Sequence, residues 1–335
     1  FVSGTADDEG VIKFPKSLAL FVALFGIELS DTLVVFCENT IIILAASKKA
    51  KLAQDLADAL GSKLKQELHV LTRNKADKDA ENFAKVIEYI RASKSGRKVG
   101  VLSKDKNEGS FVAGWEAALK GSNLETADAS SGVSDVLAIK TDEQIRSVRE
   151  GCQVAVQIVK KYVIEEILNF IDEQKECSMT KLMDQIEDQI FKVVKENKLQ
   201  ESDMEVIIPA IIQSGGEYDL KYTAQTKEKV LHLPEKDAPA VHIISLYLRF
   251  RFCCLTVSRT LLFNARKEQT DTYKFLLEVF EETVSVLKPG VKLSKVYEKA
   301  VGLIKDKNPK LLNHFVKELG WGIGYELRDK RLMLD

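Results

Sequence analysis

No stretch of this chain stays apolar for the roughly 18 residues that crossing a bilayer requires, and no signal peptide is visible. Net charge is nearly absent too, with 49 basic residues against 50 acidic ones. A chain without an overall positive field has little pull on phosphate, which argues against DNA binding driven by bulk charge. The five cysteines, Cys37, Cys152, Cys177, Cys253 and Cys254, are scattered without paired spacing. Cys253 and Cys254 are neighbours inside an apolar run and read as packed thiols rather than a disulfide or metal clip. That usage suits a reducing compartment. Histidine is scarce: His69, His232, His242 and His314 show no HxH or HExxH spacing, and the cysteines no CxxC. Each histidine is expected to be packed or at the surface rather than a ligand. GxSxG, Walker and dinucleotide motifs are also missing, and the glycines of GWGIG (320–324) follow a predicted helix rather than a strand. Taken residue by residue, the chain holds no catalytic set.

What is present is an ordinary globular balance, 45% apolar and 30% charged over 335 residues, long enough for two domains. The chain begins at Phe1 without a Met, so an excerpt of a longer protein is expected. Its first part alternates strand and helix. Residues 1–4 read as the end of a strand and 17–25 as a short buried helix. LVVFC and IIILAA around Glu38-Asn39-Thr40 make a hairpin over 33–46. A helix from Ser47 to Leu60, a strand at 68–71, a helix at 77–93, a strand at 98–102 and a helix at 111–119 follow. This is the pattern of a sheet covered by helices. Lys48, Lys49 and Lys51 are read as a solvated face. The polar stretch Ala129-Ser130-Ser131-Gly132 is expected to be flexible, and the chain to divide between Ala129 and Lys140, with domains at 1–135 and 141–335.

Thr141 and Gln144 form a capping box for a helix with Ile145, Val148, Cys152, Ala155, Val159 and Tyr162 on its apolar face. A second amphipathic helix, 179–198, uses Leu182, Ile186, Ile190 and Val193. A strand at 205–209 comes next, then the segment 210–214. Helices at 271–287, 294–305 and 308–319 close the chain, and all are expected to pack on one sheet. The stretch VHIISLYLRFRFCCLTVSRTLLF (241–263) is rich in β-branched and aromatic residues and too long for one strand. It predicts two antiparallel strands turning within 248–252.

The SRT at 258–260 resembles the TRT that closes the metal-binding strand pair of the creatinase, aminopeptidase P and methionine aminopeptidase ("pita-bread") family. The resemblance covers 141–335. In active members two aspartates eleven positions apart hold the metals. The matching positions here are Ser245 and Thr256, with Tyr247 where a glycine is usual. IIPAIIQSGGEYDLKY (207–222) is similar to a second family segment, whose catalytic histidine falls on Lys221, beside Tyr222. GWGIGYELRD (320–329) is similar to a third, which puts Trp321 at a ligand histidine, Arg328 at another histidine and Asp329 at the following glutamate. Two further ligand glutamates fall beyond Asp335. A tightly held metal is worth on the order of 10 kcal/mol over all its ligands, and Ser, Thr and Trp replace three of five. The missing histidine would remove a further acid–base factor of ~10²–10⁴. The resemblance therefore implies a peptidase frame without metal, cofactor or catalysis.

With the preceding α/β domain, the SRT strand, GIGYELRD, LKPGVKLSKVY (287–297) and SKKAKL (47–52), the chain resembles the N-terminal region of the large-subunit family of the FACT histone chaperone. That implies a creatinase-N-type (ribonuclease-H-like) α/β domain followed by a pita-bread domain. It implies a chromatin-associated nuclear role in transcription, replication and repair. Core histones are the expected partners, the H3–H4 pair first and the pair of histones 2A and 2B second, with weak or no direct DNA binding. The smaller HMG-associated subunit is expected to bind elsewhere in the full protein. The former pocket (Lys221, Tyr222, Ser245, Thr256, Arg259, Trp321, Arg328 and Asp329) is the candidate cleft. Its cations Lys221, Arg259 and Arg328 argue against a basic tail at its centre, and the acidic stretches 165–166, 184–188 and 278–282 offer complementary surface. A divergent metallo-aminopeptidase of Xaa-Pro type and a pure docking scaffold are the alternatives. The silent ribosome-associated relatives of methionine aminopeptidase lack the preceding α/β domain.

Overall fold

β-branched residues pair wherever a turn allows, and early in the chain they make one hairpin. The structure, a computed structural model, describes residues 1–4, 15–94, 97–235 and 238–335, in two units, Phe1–Ile139 and Lys140–Asp335. In the first, strand β1 (Val2–Ser3) and apolar helix α1 (Lys16–Phe25) precede β2 (Thr32–Phe36) and β3 (Thr40–Ala45). These two strands run antiparallel with Leu33 opposite Leu44, and the Cys37 amide donates to the Thr40 carbonyl to close the turn. Helix α2 (Ser47–Leu60) crosses back so that β4 (Glu67–Thr72) lies parallel to β3, and the sheet runs β1-β2-β3-β4. Helix α3 (Ala80–Ala92), strand β5 (Lys98–Val101), helix α4 (Ser110–Gly121) and strand β6 (Glu125–Asp128) follow, with β5 and β6 parallel. Phe83 stands 5.6 Å from Phe111 and 5.7 Å from Trp115, centre to centre, in a core with Leu33, Leu44 and Val86.

The stretch expected as a flexible boundary is instead helix α5 (Ser130–Ala138). Asp128 ends β6 and starts it, because its Oδ1 accepts from the Ser130 amide at 3.2 Å and the Ser130 hydroxyl at 2.6 Å. Val133 and Leu137, one turn apart, are buried and hold the helix down. The serine-rich composition masked that apolar pair.

The second unit opens with the expected capping box. The Thr141 hydroxyl accepts from the Gln144 amide at 3.2 Å, and the Gln144 side chain accepts from the Thr141 amide at 2.7 Å. Helix α6 (Asp142–Ile158) buries only part of the predicted face: Ala155 is buried and Val159 just beyond it too, Ile145 is exposed, and Gln144, Ser147, Gly151, Val154 and Ile158 are buried besides. Its inward stripe is built of small residues because the helix lies close on the sheet. A Cβ at Gly151 would come within 2.4 Å of Leu255 and 2.7 Å of Phe250. One π turn (Val159–Val163) joins it to α7 (Ile164–Asp172), and α8 (Met179–Glu196) buries Leu182, Ile186, Ile190 and Val193 as predicted.

Strands β7 (Met204–Ser214), β8 (Ala240–Phe250) and β9 (Cys253–Phe263) form one antiparallel sheet in that order. The strand expected over 205–209 thus continues to Ser214, with register irregularities around Ile208. Arg251 and Phe252 make the β8–β9 turn at φ of 45° and 67°, without glycine. Ion pairs from Arg251 to Glu150 (3.0 Å) and Asp203 (3.3 Å) hold this strained turn in place. Cys253 and Cys254 are buried, and burial pushes their thiols up to about 11 and about 12. Helices α9 (Lys267–Val286) and α10 (Leu293–Lys307) do not share the sheet's core. They pack on each other through Val279, Ala300 and Ile304. The face of α9 bearing Leu276, Leu277, Phe280 and Val284 is exposed. Residues 308–319 form only 3₁₀ turns at Pro309–His314, their apolar side chains being spent on covering α10. Short strands β10 (Trp321–Gly322) and β11 (Asp329–Met333) pair antiparallel at the end.

Candidate functional site

Strand alternation decides what can meet on this sheet. Ile244, Leu246, Leu248 and Phe250 share one face with Leu255 and Val257 and are buried in the core made with α6, α7 and α8. The other face therefore carries Ser245 and Tyr247 on β8 and Thr256 and Ser258 on β9. Ser245 lies opposite Ser258, whose hydroxyl donates to it at 2.8 Å, and Tyr247 lies opposite Thr256. The two positions eleven apart are thus diagonal neighbours on one face. Arg259 leaves the predicted group. Its cross-strand partner is Ile244, so it belongs to the opposite face, where it is exposed and donates to its neighbour's Ser258 carbonyl.

Tyr247 is the group that sequence reasoning undervalued. It is only 6% exposed and occupies the space that a glycine would leave open. Its phenol is pushed up first by burial and second by neighbouring Tyr222. Tyr222 arrives on a loop after β7 that turns at Gly215 and Gly216 with φ of 81° and 93°. The Gln213 side chain clamps that loop, donating to the Asp219 carbonyl and accepting from the Asp219 amide, each at 2.7 Å. The Asp219 carboxylate accepts from the Lys221 amide at 3.1 Å, and Lys221 itself is exposed.

β10 and β11 complete the cluster. The Arg328 guanidinium lies 4.8 Å from the centre of the Trp321 ring and 5.7 Å from that of Tyr222. It also pairs with Glu318, a partner that sequence spacing did not signal. The Trp321 indole donates to the Leu327 carbonyl at 3.1 Å, and the Cys254 amide donates to the Gly324 carbonyl at 2.7 Å, pinning this segment to β9. Gly322 is required there, since a Cβ would sit 2.7 Å from Leu332. Asp329 is 2% exposed and accepts from the Arg331 amide at 3.0 Å. Tyr222, Tyr247, Trp321 and Arg328 are therefore brought together, Ser245 and Thr256 lie on the sheet face beside them, and Lys221 stays at the surface.

These groups do not fit the metal that the frame implies. Hydroxyls at Ser245 and Thr256 and an indole at Trp321 are not the carboxylate and imidazole donors that hold a hard or borderline divalent ion. Among the described residues no three of His, Cys, Asp and Glu come together to hold one. What the site offers is aromatic faces, neutral hydroxyls and one caged guanidinium.

Comparison with known proteins agrees with this architecture. Residues 1–132 match the FACT complex subunit SPT16 N-terminal lobe domain, and residues 146–334 match metallopeptidase family M24. The FACT complex subunit SPT16 of Zea mays is 32% identical over 97% of this chain and 31% of its own length. That of Dictyostelium discoideum is 32% identical over 96% of this chain and 30% of its own. The chain thus spans about a third of the curated relatives it matches. Among solved structures, the N-terminal domain of SPT16 from Cicer arietinum covers all of this chain at 29% identity and a TM-score of 0.91, with 77% of that domain matched. The prolidase of Pyrococcus furiosus, at 17% identity and a TM-score of 0.65 over 95% of this chain and 81% of its own, shares the fold. An SPT16-type N-lobe followed by a pita-bread unit places this chain in the family of FACT SPT16 N-terminal regions, its second unit belonging to metallopeptidase family M24.

Proposed function

We propose that this chain is a non-catalytic histone-binding module of a FACT-type chaperone, acting in the nucleus on chromatin during transcription, replication and repair. The observation that carries the reading is the packed cluster: Tyr247 is buried and the Arg328 guanidinium lies over Trp321, at positions that the resemblance matches to open space and metal donors in active relatives. The ligand is a core histone pair, H3–H4, and the smaller HMG-associated subunit binds through other parts of the full protein. Long-range attraction comes from exposed carboxylates on α7 and α8, Glu165, Asp184 and Asp188. The acidic stretch of α9 contributes less, because Glu278 pairs with Lys307 and Glu282 with Lys299 at 3.3 Å. Calorimetry of the purified chain at physiological salt against H3–H4 and against a DNA duplex tests this. Tighter binding to H3–H4 is expected. Tighter binding to DNA, or none to histones, would make this region a docking scaffold.

A further inference from the structure

Two aromatic faces turned toward one cation make a seat that does not depend on which residue supplies the charge. Here the seat is Tyr222 and Trp321, and its occupant is Arg328. Glu318 adds the counter-charge and keeps 46% exposure, so the seat has a wet side. Arg328 is held there imperfectly. Its Nε is buried without a hydrogen-bond partner among the described residues, although its side chain is 23% exposed overall. A donor left unmade in this way weakens the grip on the occupant. On the sheet face that carries Tyr247, the side chains Ser245, Thr256 and Tyr247 bring no charge that would repel a cation.

We propose that the Tyr222–Trp321 seat receives an arginine or lysine side chain of a basic polypeptide, and that Arg328 is a built-in occupant which the incoming cation displaces. The proposal rests on the chaperone reading only in taking a basic polypeptide as the ligand. An internal competitor lowers apparent affinity by the fraction of time that the seat stands open, so removing it raises affinity by the inverse of that fraction. Lys221 sets a preference. Exposed next to Tyr222, it repels a run of adjacent cations and leaves an isolated basic residue between small neighbours as the better ligand.

The test uses the whole 335-residue chain and a capped Gly-Ser-Arg-Ser-Gly peptide, with the uncharged citrulline peptide as control. Arg328→Ala and Arg328→Gln are each expected to bind the arginine peptide about tenfold more tightly than the unaltered chain, in line with a seat open about a tenth of the time. The citrulline peptide should bind none of them, and adding Trp321→Ala to Arg328→Gln should remove the gain while the thermal transition stays cooperative. Equal affinity with and without Arg328, equal binding of the citrulline peptide, or loss of folding in both Arg328 variants would each overturn the proposal, the last by showing a structural plug. Histone binding measured on the same proteins separates the two readings. A chain that binds histones with no response to Arg328 removal loses the seat and keeps the module. A chain that binds the peptide and not histones does the reverse.

Discussion

His242 is buried on the core face of β8, edge-on to Phe263 at 5.4 Å, with neither ring nitrogen hydrogen-bonded among the described residues. Burial first and His232 second lower its pKa from 6.5 to about 4. The folded state therefore prefers neutral imidazole, while the unfolded chain takes up a proton below pH 6.5. The resulting stability is fully present above pH 6.5 and is lost as pH falls toward 4, up to roughly 3 kcal/mol. Urea unfolding at pH 7.5 and 4.5 should show His242→Leu losing distinctly less stability over that interval than the unaltered chain; equal losses would place the pH dependence elsewhere. From sequence His242 was legible as a packed or surface histidine rather than a ligand, because no metal-ligand spacing surrounds it. Tyr247 and Glu318 were less so: a glycine replaced by tyrosine registered as a packing departure. Glu318, ten positions before Arg328, meets it only once β10 and β11 have folded.

At the scale of elements, periodicity was read well where large side chains carry it and badly where small ones do. The four aliphatic residues read for α8, Leu182, Ile186, Ile190 and Val193, are all buried in the structure, with Met179 and Val194 beside them. The stripe of α6 contains Ser147 and Gly151, so a search for large apolar residues found Ala155 but placed the first turns of the stripe on Ile145 instead. Helix α5 was missed for another reason, the polar residues around its buried pair Val133 and Leu137. The consequence is measurable at two glycines. Gly151→Ala should destabilise the chain by about 1–3 kcal/mol, since the added methyl meets Leu255 and Phe250. Gly302→Ala, inside α10 with open space around its Cβ, should stabilise by about 0.5–1 kcal/mol. Denaturant unfolding of both variants would show opposite shifts; shifts of the same sign would mean that α6 does not approach the sheet as closely as described.

For the whole molecule, the two-part plan was legible because strand–helix alternation gives way to long amphipathic helices and one dense β run. Where one unit ends was harder, since polar composition does not distinguish a linker from a helix with two buried residues. We propose the division at Ile139 and Lys140, with Ile139 80% exposed. Limited proteolysis should cut first at residues 139–141, at the far end of the expected interval, and spare Ser130–Ala138; first cuts within that helix would move the boundary to its near end.

The candidate site was legible only through the resemblance, which sets Ser245, Thr256 and Trp321 against ligand positions, and not as the packed cluster of Tyr222, Tyr247, Trp321 and Arg328. Restoring the carboxylates alone should fail for that reason, because Tyr247 and Trp321 still fill the space. The most direct measurement is elemental analysis after saturation with Zn, Mn or Co and exhaustive dialysis, paired with an Xaa-Pro and N-terminal Met peptidase assay. It should be made on the unaltered chain and on Ser245→Asp/Thr256→Asp. Both proteins are expected to retain far less than one metal per chain and to cleave neither peptide. One tightly held metal per unaltered chain with chelator-sensitive cleavage would contradict the filled pocket and return the protein to the peptidases.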